Sequence, residues 1–128
     1  MPTIEEKLEK SFQEIDTIIE AEILADDVEK QARKLNKLCI ISANAADNIA
    51  VAKELLLNKQ LESLKAILES SPDIGSVVAM KLLGGECAKY ERYYVKADRQ
   101  FSAINKNIEG IRTLISKYKS ELENQVSV

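Results

Sequence analysis

The sequence predicts an all-α protein, an antiparallel helical bundle with a long, coiled-coil-like C-terminal helix. Chain punctuation is sparse, with four Gly and two Pro in 128 residues, whereas sheet-containing folds need frequent turns and β-branched runs. Apolar residues recur at alternating spacings of three and four over most of the length, the period of a helix face and not of a strand. The 45% hydrophobic content suffices for the core of one domain of this size. The 30% of charged residues suits helices with solvated outer faces. The expected organisation is one all-helical domain over 1–128.

The first helix is expected over 3–25. Thr3 and Glu6 form a capping-box pair, and the acidic Glu5 and Glu6 suit a helix N-terminus. Ile4, Leu8, Phe12, Ile15, Ile19 and Ile23 follow in register. Asp26 with Glu29 repeats the cap pattern and opens a second helix, 27–57, carrying Leu35, Leu38, Ser42, Ala45, Ile49, Ala52 and Leu56 on one face. Small residues from Ser42 to Asp47 let a neighbouring helix approach closely. Asn58 is read as the cap of a short helix, 59–70, carrying Leu61, Leu64, Ile67 and Leu68. Ser70-Ser71-Pro72-Asp73 is the strongest break, with Ser71 expected at an N-cap and Pro72 at the first position of a helix over 72–83. Gly84-Gly85 weakens any helix by roughly 2 kcal/mol, about 1 for each glycine. Met80 and Leu83 nonetheless keep register with Cys87, so a break and a bend at the pair are both open.

The last helix, 85–123, carries the longest pattern. Cys87, Tyr90, Tyr94, Ala97, Phe101 and Ile104 lead on to Ile108, Ile111, Ile115, Tyr118 and Leu122 at strictly alternating spacings of three and four. This is a heptad-type seam, about 50 Å long at 1.5 Å per residue. It outreaches the helices expected to cover it within one chain. Tyr94, Phe101, Ile104, Ile108, Ile111, Ile115, Tyr118 and Leu122 are therefore expected to form an oligomer seam, making the protein a homo-oligomer. Residues from Glu123 to Val128 read as a frayed tail.

Little in the chain supports chemistry. It has no His, the commonest general base and metal ligand, which excludes Cys-His nucleophile pairs and the Glu-x-x-His ligands of di-iron bundles. Neither a phosphate-cradling Gly-x-x-x-x-Gly-Lys nor a dinucleotide-binding Gly-x-Gly-x-x-Gly occurs. The carboxylates Glu5, Glu6, Glu9, Glu20, Glu22, Asp26 and Asp27 suit a solvated face. No enzyme activity, cofactor or metal is expected. Cys39 and Cys87 are isolated and read as small core hydrophobes. The opening Met-Pro-Thr-Ile-Glu-Glu is no signal peptide and no apolar run has transmembrane length, so a cytoplasmic protein without a membrane partner is expected.

The formal charge of −3 argues against coating duplex DNA by charge alone. Residues 1–71 hold nine Lys/Arg against fourteen Asp/Glu, and 72–128 nine against seven, so the halves suit each other or the second half suits an acidic partner. One run combines cations with rings, as single-stranded nucleic-acid binding requires. Lys89, Arg92, Tyr93, Lys96 and Arg99 are its candidate nucleic-acid or acidic-partner patch. Tyr90, Tyr94 and Phe101 belong to the seam by register, and Tyr93 is expected to be exposed. The basic stretch Arg112 to Lys119 is accounted for by the helix dipole. The general layout, with the Ile-Glu-Gly-Ile-Arg-Thr stretch at 108–113, resembles short all-helical phage accessory proteins, such as the recombination mediators that load a recombinase on single-stranded DNA. The likeness is confined to that layout and hexapeptide, and it assigns no functional residue. Protein–protein binding is thus the leading expectation, with nucleic-acid binding of the phage recombination or replication type the alternative.

Overall fold

A computed structural model describes residues 1–126, the side chain of Val126 excepted. Its three helices are α1 (Ile4–Glu20), α2 (Val28–Ser70) and α3 (Ser76–Val126), and among the described residues there is no strand. The all-α class is as expected, but five expected helices are three. The last two residues of the expected tail lie outside the described residues, and the helix itself continues past Glu123 to Val126.

Both bonds of the capping box that starts α1 are made. Thr3 Oγ1 accepts from the Glu6 N–H at 3.1 Å, and the Thr3 N–H donates to Glu6 Oε2 at 3.3 Å. The helix ends at Glu20, before Ile23, because α2 supplies partners for the carbonyls that a helix C-terminus leaves open. Lys34 Nζ donates to the carbonyls of Ile19 and Ala21 at 3.0 and 2.8 Å. The Gln31 amide donates to those of Ile23 and Leu24 at 3.3 and 3.2 Å. Asp27 rather than Asp26 then caps α2, accepting from the Lys30 N–H at 3.1 Å.

α2 runs unbroken through Asn58. No Gly or Pro occurs between Val28 and Ser70, and the inward positions Leu38, Ala45, Ala52, Ser63 and Ile67 are all buried. A continuous packing face outweighs the preference of one Asn for a cap. The break at Ser71-Pro72 is real but differently built. Ser71 caps the end of α2, its N–H donating to the Ile67 carbonyl at 2.9 Å, and the Ile74 N–H donates to the Ser71 carbonyl at 3.1 Å. Pro72 thus sits at the second position of a β-turn, where its fixed φ is equally suited. α3 begins only at Ser76 and passes through Gly84-Gly85 without a positive φ.

α2 and α3 form an antiparallel hairpin, about 64 and 76 Å long at 1.5 Å per residue. α1 is about 25 Å long by the same measure and covers only the middle, parallel to α3: Glu5 meets Lys89 and Tyr90, while Asp16 meets Lys96 and Gln100. The core has two adjoining clusters. Ile15, Leu38, Ala45, Ile104 and Ile111 form one; Leu8, Phe12, Ala52 and Ala97 form the other. Beyond the N-terminus of α1 the hairpin continues as a two-helix arm with no third helix on it.

Candidate functional site

The residues singled out from the sequence divide between the interior and the α1–α3 contact. Ile104 and Ile111 are buried, with Phe101, Ile108 and Ile115 packed on their cluster and Tyr94 on the neighbouring one. Their partner is α2, whose unbroken 43 residues supply the length that the sequence reading found lacking. Only the end of the seam is open, with Tyr118 41% and Leu122 43% exposed. Cys87 is buried as expected, and burial pushes its thiol pKa up. Cys39 is exposed instead; it lies one position beyond Leu38, the residue that enters the core.

The basic-aromatic run meets the acidic face of α1. Lys89 Nζ donates to Glu5 at 2.8 Å and the Tyr90 hydroxyl to the same carboxylate at 2.7 Å. The Tyr93 hydroxyl donates to Glu9. Lys96 Nζ donates to Asp16 at 2.7 Å, and the Gln100 amide bridges the Phe12 carbonyl and Asp16, both at 2.8 Å. Tyr93 is therefore half-buried, its ring 6.2 Å from that of Phe12 and 6.1 Å edge-on from Tyr90, with Lys89 Nζ 5.7 Å from its centroid. It is off the α2-facing seam because it belongs to a second inward face, towards α1. Arg92 and Arg99 make no ion pair among the described residues. Of the five candidate patch residues, three are thus engaged within the chain.

Hydrogen bonds from Lys89 and Tyr90 hold the Glu5 carboxyl below its usual range. Burial pushes Asp16 up, but the bonds from Lys96 and Gln100 outweigh it and the net direction is down. A carboxyl whose folded pKa is lowered stabilises the fold fully above its unfolded value, about 4, and loses that contribution as pH falls through the folded value. Acid is therefore expected to loosen α1, weakly because both pairs are screened by solvent. Tyrosine fluorescence followed from about pH 5 downwards checks this, and a signal unchanged until global unfolding contradicts it.

The feature that sequence reasoning missed is the arm. On α2, Leu57, Leu61, Leu64 and Leu68 are 49%, 69%, 37% and 48% exposed. On α3, Val77, Val78, Met80 and Leu82 are also exposed. Leu61, Leu64 and Leu68 thus stand in solvent, while Ser63 and Ile67 take the inward positions. The 4-3-4 leucine spacing was visible, but a second apolar face is not distinguishable by period from the first. Elsewhere the surface is shallow. A groove of about 330 Å³ runs between the end of α1 and α2, with Ile18, Ile23, Lys30, Arg33, Lys34 and Lys37 on its walls. No group of three or more His, Cys, Asp or Glu among the described residues could hold a metal ion, and no described helix is long and apolar enough to cross a membrane.

The fold and surface define a three-helix bundle with a bare, apolar two-helix arm. No family model matches the chain, and no curated protein and no solved structure matches it either.

Proposed function

We propose that this is a non-enzymatic, self-associating helical-bundle protein that acts by binding another protein, as an adaptor, inhibitor or assembly factor of the cytoplasm. The observation that supports the reading is the arm, where large apolar side chains stand in solvent along both helices. Contiguous apolar surface of this kind is rare on a monomer unless it is used. Affinity capture by the tagged full chain from the lysate of its source cells tests the reading. A reproducible protein partner is the expected result, and capture of nothing beyond a helical control chain overturns it. The alternative, an oligomeric single-stranded nucleic-acid-binding accessory protein, has less support, since Lys89, Tyr93 and Lys96 already have carboxylate partners. Salt-sensitive retention on a single-stranded oligonucleotide would favour it.

A further inference from the structure

The arm has a polarity that reveals which of its faces is unpartnered. Asn48 donates to Ser11 of α1 at 2.8 Å and Tyr93 to Glu9 of α1. Leu57 lies nine residues beyond Asn48, and Gly84 nine before Tyr93; nine residues are about two and a half turns, half a circle round a helix. Leu57 and Gly84 therefore both face away from α1. Leu61, Leu64 and Leu68 follow Leu57 at spacings of four, three and four, and Met80 shares the face of Gly84, one turn away. This back face of the hairpin meets neither α1 nor the α2–α3 core.

We propose that this face pairs with the same face of a second copy, which rests on the self-association in the reading above. The leucine spacing 4-3-4 reads identically in both directions. An antiparallel second α2, related by a twofold axis between Glu62 and Ser63, sets Leu57 against Leu68 and Leu61 against Leu64. That self-complementarity is what an isologous contact requires. Charge agrees, because residues 53–92 hold six Lys/Arg and six Asp/Glu and two identical arms meet without net repulsion. Leu57 to Leu68 span about 17 Å of α2, and the two helices side by side make the face about 20 Å wide.

Gly84 lies on the same face. Glycine is a poor helix former, and at Gly84, as at Gly75, Gly85 and Gly110, neither a positive φ nor an intrachain contact explains it, since an added Cβ would meet nothing within 4 Å. A close approach by a second copy would account for a residue without a side chain at this point.

Sedimentation of the full chain across micromolar concentrations tests the pairing. The expected species has twice the 14.3 kDa chain mass. Leu61→Asp with Leu64→Asp should raise the dissociation constant at least about 100-fold with helicity retained, because both side chains are exposed. Gly84→Leu should likewise weaken the dimer while raising the thermal midpoint of the dilute monomer, an opposition that a merely structural glycine would not produce. Mixed Leu61→Cys and Leu64→Cys chains, each also Cys39→Ser, should form a disulfide with each other in preference to self-pairs. A wild-type monomer at high concentration overturns the self-association and the pairing together. An oligomer that withstands both leucine substitutions overturns the arm alone, and leaves the captured-partner test of the broader reading untouched.

Discussion

Ile104→Asp is expected to remove much of the bundle's stability. Ile104 has no solvent exposure and lies with Ile15, Leu38, Ala45 and Ile111, where all three helices meet. A carboxylate there loses its hydration among apolar side chains, and the isoleucine contacts are lost as well. The expected cost is about 4–5 kcal/mol, against a typical total stability of about 5–15 kcal/mol. Urea unfolding followed by circular dichroism measures it. The same change at Ile40, 65% exposed, should cost less than about 0.5 kcal/mol. Ile108→Asp should fall between the two, as Ile108 is only partly buried. Equal effects at Ile104 and Ile40 would overturn this assignment of the core.

Ile104 also marks what could be read in the sequence. The inward register of α3 was legible because a heptad seam is local, and Ile104, Ile111 and Ala97 are buried where it puts them. The capping box at Thr3 and Glu6 was legible for the same reason. What failed depended on distant partners. The end of α1 is set by Gln31 and Lys34, which arrive from the next helix. The continuity of α2 through Asn58 is set by packing that a single cap preference cannot reveal. Pro72 was placed correctly at a break, but its fixed φ serves a turn as well as a first helical position.

The candidate patch failed in a more instructive way. Lys89, Tyr93 and Lys96 have the composition of a ligand site, yet their partners are carboxylates 80 or more positions earlier in the chain. Residues 1–27 hold nine Asp/Glu against two Lys, so the charge asymmetry was visible. Its meaning was not, because periodicity reports that a face exists and not which element covers it. The arm shows the converse, an apolar face that no element of the chain covers.

Phe12→Ala is expected to free α1 while leaving the α2–α3 hairpin folded. The ion pairs cannot hold α1 alone. Lys89–Glu5 and Lys96–Asp16 are partly exposed on both sides, and such pairs contribute about 1 kcal/mol at most. The attachment rests on Leu8, Phe12 and Ile15, the buried residues of α1, and Phe12 touches the cluster of Leu8, Ala52 and Ala97. Removing its ring should cost about 3–5 kcal/mol. A 17-residue helix is marginal on its own, so that cost should melt α1 locally, since Ile67, Ala79 and Cys87 lie buried in an arm that α1 does not cover. Hydrogen exchange should then lose protection over 4–20 and keep it over 63–67. Tyr93, held up by burial and by Glu9, and Tyr90, held up by Glu5, should titrate nearer their ordinary value of about 10. Simultaneous loss of protection along the whole chain would instead make α1 part of one cooperative unit. In that case the carboxylates facing Lys89 and Lys96 could not be displaced without unfolding the protein, and these two lysines would stay paired with α1 in every folded state.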